Sequence, residues 1–135
     1  MPQVDIHYWA VVVAAIASMI TGSIWYAPPV FGKTWLKLSG KTESDWKNSS
    51  RMSMMGAMVS ALVMAYVLAH FVDYVQANTF SEGLQTGFWI WLGFVATTSM
   101  VNSLFQGQPK KLWILDSANH LVSLLVMAVI LAIWR

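Results

Sequence analysis

The chain contains no cysteine, and only 10% of its 135 residues are charged. The first absence excludes disulfide exchange, thiolate nucleophiles, cysteine-ligated zinc and iron–sulfur clusters. The second excludes an ordinary soluble domain, in which roughly a quarter of the residues are charged. Apolar residues fill the space instead: 57% of the chain is hydrophobic and the mean hydropathy is +0.56. A bilayer-spanning helix needs about 20 apolar residues, so this length holds at most about four or five spans and no second folded domain. A large extramembrane catalytic domain is thereby excluded.

Four nearly uncharged segments are predicted as spans, over residues 8–26, 52–72, 84–105 and 112–134. Barrel strands would be shorter and would alternate in polarity, whereas these runs are continuous. The expected fold is therefore all-α, a single integral membrane four-helix bundle over residues 1–135. No Lys or Arg precedes the first segment, and Trp25, Tyr26, Pro28 and Pro29 stand where a cleavage site would need small residues. It is expected to stay as a span. Of the eight basic residues, Lys33, Lys37, Lys41, Lys47 and Arg51 fall in the loop over 27–51, and Lys110 and Lys111 in the third loop. The positive-inside rule then puts both loops in the cytoplasm and both termini outside, in a bacterial cytoplasmic membrane. That distribution explains the net charge of +2 as topology, and no nucleic-acid partner is expected. Tyr8, Trp9, Phe71, Tyr74, Phe88, Trp89 and Trp134 read as the outer aromatic belt, and Trp25, Tyr26, Phe105 and Trp113 as the inner one.

The 27–51 loop is the largest piece outside the spans. Pro28 and Pro29 end the first helix, because proline lacks the amide proton and collides with the preceding turn. Phe31, Trp35 and Leu38 alternate with Lys33, Lys37 and Lys41, a pattern suited to a short stretch anchored in the headgroup region. Thr42 with Asp45 three residues on is a variant of the capping box and predicts a new helix from about residue 43.

In lipid, helices associate through close packing, so small residues four apart are informative. Ala10, Ala14, Ser18 and Gly22 form one such stripe, and Ala57, Ala61, Ala65 and Ala69 another, with Gly56 and Ser60 alongside. The two stripes predict tight packing between the first and second spans, or a contact between subunits. In the fourth span Asp116, Asn119, His120 and Ser123 follow the i, i+3, i+4, i+7 spacing and share a helix face. Thr98, Ser99, Asn102 and Ser103 in the third span lie at comparable depth. Asp116 and His120 are the costly members, since ionisable groups inside spans mark ion paths, proton relays or ligand counter-ions by default. Asn119, Ser123, Thr98 and Ser99 read better as hydrogen bonds between helices, while for Asp116 and His120 the functional and structural readings are balanced.

At the opposite end, Asp5 and His7 come level with His70 and Asp73, the one combination that a divalent metal could use. Neither segment has ligand spacing, so no metal is expected. No matched pair of histidines suggests haem, the methionines lack the Cys or His that a soft-metal site needs, and no cofactor is expected.

The stretches GSIWYAPPVFGKTWLKLSG (Gly22 to Gly40), GFWIWLGFVATTSMVNSLF (Gly87 to Phe105) and LWILDSANHLVSLLVMAVILAIWR resemble a family of small bacterial and fungal membrane proteins known only as a domain of unknown function. The resemblance covers nearly the whole chain, and its most specific part is the Trp, Tyr and Pro run after the first span. It implies four spans and supplies no activity, cofactor or site residue. Three functions fit the residues. The first is a homo-oligomeric carrier or channel for a small solute, ion or proton, with its polar site on the third and fourth spans. The second is a structural or accessory subunit, or a lipid-binding protein. The third is a small membrane enzyme using His120 and Asp116, which lacks a nucleophile, metal motif or phosphate loop.

Overall fold

A computed structural model describes residues 3–42, 44, 45 and 51–134. Helix α1 (Tyr8–Trp25) is followed by a π-helical turn, Pro28–Gly32, and the short α2 (Lys33–Ser39). Helix α3 (Arg51–Tyr74) returns across the bundle. Then α4 (Phe80–Ile90) runs through a second π-helical turn, Trp91–Ala96, into α5 (Thr97–Gln106), and α6 (Lys110–Ile133) completes the chain. The described residues contain helices and no strand. Four stretches are long and apolar enough to cross a membrane: Tyr8–Trp25, Met52–Tyr74, Phe80–Gln106 and Lys110–Ile133.

The third stretch starts earlier than the hydropathy pattern predicts, for a local reason. Thr79 caps α4 by accepting from the Glu82 amide at 3.2 Å and donating to the Glu82 carboxylate at 3.1 Å, while the Asn78 amide donates to the same carboxylate at 3.3 Å. Glu82 reads in the sequence as a loop charge, yet it is the acid of a capping box inside the first turn. At the end of α3 the amides of Gln76 and Ala77 return to the carbonyls of Asp73 and Val72 at 3.0 and 3.1 Å. Gln76 takes a left-handed conformation with φ of 58° to close this turn. The cap expected in the long loop is present: Thr42 and Asp45 each donate a backbone amide to the other's side chain at 3.1 Å. Residues 43 and 46–50, which would carry that helix towards α3, lie outside the described residues.

Helix α6 is the most buried span and packs against all the others. Gly83 and Gly87, four apart on α4, lie on its backbone. A Cβ on Gly83 would come within 2.9 Å of the Val129 Cα, and one on Gly87 within 2.9 Å of the Leu124 carbonyl oxygen. Ala128 and Ala132 complete the matching small surface on α6. The α1 and α3 stripes meet the same core at its far half, where Ala10, Ala14, Ala61, Ala65 and Ala69 are buried with Leu68, Met127 and Ala128. Towards the loop end the stripes diverge. Ser18 and Gly22 are half-buried, Ala57 and Ser60 are exposed, and a Cβ on Gly22 or Gly56 would meet nothing within 4 Å.

Two outcomes are expected. Gly83→Leu or Gly87→Leu should lower stability in detergent by about 1–3 kcal/mol, because backbone rather than a movable side chain would have to give way. Gly93→Ala, with open space at its Cβ, should be neutral or stabilising by up to about 1 kcal/mol. Denaturation midpoints check both. The Asp45 carboxyl, held below the usual aspartate range first by the Thr42 amide and then by the Thr42 hydroxyl, should titrate by NMR below about 3.9, and Thr42→Ala should bring it part of the way back. The cap is thus at full strength above the ordinary aspartate range and is lost as pH falls through the lowered midpoint.

Candidate functional site

The site starts where α1 stops. Ala27 is extended, and its carbonyl accepts the amides of both Val30 and Gly32 at 3.0 Å, which folds the Pro28–Gly32 turn back on the helix end. Gly32 is buried there, and a Cβ on it would collide with the Tyr26 carbonyl oxygen, so only glycine fits. The turn presses two aromatic side chains against α6. The Trp25 indole donates to the Leu115 carbonyl at 3.2 Å, and the Tyr26 hydroxyl donates to Asp116 Oδ1 at 2.6 Å. The Phe31 ring lies 4.6 Å from Trp25 and the Trp35 ring stands edge-on to Tyr26 at 6.1 Å, with the Lys41 ammonium 5.7 Å from the Trp35 ring. The basic aromatic loop therefore closes over the α1 and α6 ends.

The four polar residues of α6 do share one side of the helix, but it faces α1 and α3 rather than α5. Asp116 is half-buried, Asn119 and Ser123 are buried, and His120 is exposed at the mouth of a cleft. The expectation of a polar site between the third and fourth spans is corrected here. The glycine contact orients α6 so that Leu124, Ala128 and Ala132 meet α4. Ser117, two turns before Leu124 on that side, therefore meets the third span, and Asp116 turns away from it. Ser99 accepts from the Trp113 indole at 3.0 Å and lies 3.3 Å from the Ser117 hydroxyl, while the Trp91 indole donates to the Ser117 carbonyl at 2.9 Å. Ser103 is buried, whereas Thr98 and Asn102 point outward and are exposed.

The cleft has a volume of about 690 Å³. Ser18, Gly22 and Tyr26 line it from α1, Met54, Ala57 and Ser60 from α3, and Asn119, His120 and Ser123 from α6. Towards the far end it is blocked by Ala14, Ala65, Leu68, Met127 and Ala128, all buried. Beyond that plug lies a separate small pocket of about 180 Å³, lined by Asp5, His7, Ala10 and Asp73. The proposed grouping of Asp5, His7, His70 and Asp73 does not assemble. His70 Nδ1 sits 2.9 Å from the Tyr66 carbonyl with its ring among Tyr66 and Tyr74, and His7 caps α1 by accepting the Ala10 amide at 3.3 Å. Among the described residues no three His, Cys, Asp or Glu side chains are placed to hold a metal ion.

One polar atom in the cleft stands out. Asn119 Oδ1 is buried and has no hydrogen-bond partner. Buried carboxamide oxygens are nearly always bonded, and leaving one unpaired costs about 1–3 kcal/mol.

The family model for a protein of unknown function, DUF1761, matches residues 9–132. The chain belongs to the DUF1761 family. No curated protein and no solved structure matches it. Within this DUF1761 fold the match takes in both halves of the site, the aromatic turn after α1 and the polar stretch of α6. Sequence reading alone places Asp116, Asn119, His120 and Ser123 on one face but overlooks Tyr26, Gly32, Gly83 and Gly87. The glycine pair was legible as a G-x-x-x-G spacing, although Gln85 and Thr86 between the two glycines and Glu82 before them make it a polar stretch at the start of the third span. Tyr26 was assigned to the interface belt, and its partner lies 90 residues away, beyond any local pattern.

Tyr26→Phe should cost about 1–3 kcal/mol of stability by leaving the Asp116 carboxylate without its donor. In an Asp116→Leu background the same change should cost clearly less. A double-mutant cycle on denaturation midpoints in detergent, with a coupling of about 1–2 kcal/mol expected, checks the bond.

Proposed function

We propose that this protein is a small-solute carrier of the membrane whose binding site is the cleft between α1, α3 and α6. The observation that supports this reading is the one-sidedness of the cleft. It is open along the exposed residues Met54, Ala57 and Ser60, it carries Asn119, His120 and Ser123 in its wall, and it ends at the apolar plug of Ala14, Ala65, Leu68 and Met127. A carrier needs a polar site reachable from one side while the other side is shut, and a volume of several hundred Å³ is in the range that takes a small molecule. Ala14 of α1 and Ala65 of α3 meet in the plug through small side chains, so a shift of α1 against α3 with Leu68 and Met127 moving aside would open it. A homo-oligomer belongs to the same reading: Phe80–Gln106 is the least buried span, and its outward Thr98 and Asn102 offer hydrogen bonds that lipid chains cannot satisfy.

The largely apolar remainder of the cleft wall favours a second reading, a lipid-binding protein that holds an acyl chain without moving it across. Because the chain has no cysteine, single cysteines separate the two. Ser60→Cys in the cleft and Ala14→Cys in the plug are introduced singly in sealed vesicles and treated with a membrane-impermeant maleimide. Carriage predicts that Cys at 60 is labelled from the loop end and that Cys at 14 becomes labelled, more slowly, from the opposite side. Label at 60 with none at 14 leaves the lipid-binding reading and removes the carrier.

A further inference from the structure

The chemistry of the cleft specifies its occupant further, resting on the reading of the cleft as a solute site. The Tyr26 hydroxyl gives its proton to Asp116 and can therefore only accept from its other neighbour. In the same cleft Asn119 Oδ1 is a buried atom without a hydrogen-bond partner, on a side chain that is 8% exposed and lines the cleft. What the site lacks is a hydrogen-bond donor.

The charge of the site agrees. Asp116 lies one turn before Asn119 on α6, and among the described residues its one hydrogen-bond donor is the neutral Tyr26. Among the described residues no Lys or Arg lines the cleft. The Asp116 carboxylate is half-buried, and among the described residues the ionisable side chains beside it are Tyr26 and His120. Met19, Met64, Val95 and Leu124 supply the remaining wall, which is apolar and polarisable. The Tyr26 ring adds a π-face for a positive charge.

We propose that the cleft binds a small amphipathic ammonium ion, its head donating to Asn119 Oδ1 in the field of Asp116 and its apolar part lying along Met19, Met64 and Leu124. Two acceptors with no Lys or Arg among the described lining residues select a charged donor, and the methionine wall selects an organic amine over a hydrated metal ion.

Three probes of matched size test the assignment: 2-phenylethylammonium, 2-phenylethanol and 3-phenylpropionate. Each is titrated into the protein in phosphatidylcholine nanodiscs, with empty nanodiscs subtracted to remove partition into lipid. The ammonium should bind saturably and at least about tenfold tighter than the alcohol, as expected for a charge-assisted hydrogen bond, and the propionate should not saturate. Asp116→Asn, which keeps an acceptor for Tyr26, should bring ammonium and alcohol within about twofold of each other. Asn119→Leu should weaken the ammonium by about fivefold or more. Equal binding of ammonium and alcohol, or tightest binding of the propionate, overturns the cation assignment while leaving the cleft as a solute site. Displacement of the ammonium by millimolar sodium or potassium chloride, with choline chloride inert, overturns the organic part of the assignment. Absence of saturable binding by all three probes overturns the proposal, whereas the carrier reading stands or falls separately on labelling at position 14. The wild-type ranking decides the case by itself, so a variant that fails to fold does not blunt the test.

Discussion

Lipid offers helices no hydrophobic reason to associate, and this bundle answers with one close backbone approach. Gly83 and Gly87 on α4 lie directly on the Leu124 to Ala132 stretch of α6. Dispersion contacts gain strength only at short range, so removing two side chains from the interface is what lets the helices hold. The same contact fixes how α6 is turned about its axis. With Leu124, Ala128 and Ala132 committed to α4, the Asp116, Asn119 and Ser123 side has to face α1 and α3. The candidate site is thus a consequence of a packing decision made at the other end of the helix.

Polar satisfaction follows the same economy. Three indoles reach α6 or span its contacts: Trp25 to the Leu115 carbonyl, Trp91 to the Ser117 carbonyl, and Trp113 to Ser99. Tryptophan suits this task because a large apolar ring fills space while a single N–H supplies a directed bond. With these bonds made, Asn119 Oδ1 is the buried side-chain acceptor left without one among the described residues. An unpaired acceptor in an otherwise bonded set, beside an open cleft, is what distinguishes this place from the structural hydrogen bonds around Ser99 and Ser117.

Much of the fold was legible in the residues themselves. The four spans are visible because hydropathy is a local property, and the Thr42 and Asp45 cap is visible because its two partners are three residues apart. The third span's helix begins before its apolar run because Glu82 counts as a charge in a hydropathy window but acts as a capping acid in the structure. The alanine stripes were legible as surfaces, yet not where they would stop touching. Ala14 and Ala65 are closed into the core, while Ala57 and Gly22, on the same stripes, border a cleft.

The amino-acid sequence by itself determined that the chain is helical, that its helices suit a membrane, and that Asp116, Asn119, His120 and Ser123 share a face. Those are consequences of composition and of 3.6-residue periodicity, which act within one helix. Only the tertiary structure decided which neighbour that face meets, that Tyr26 rather than a third-span hydroxyl bonds Asp116, and that the histidines and aspartates at the far end do not converge. Each of these depends on the rotation and splay of one helix against another, set by contacts between residues tens of positions apart, and no spacing along a single helix encodes them.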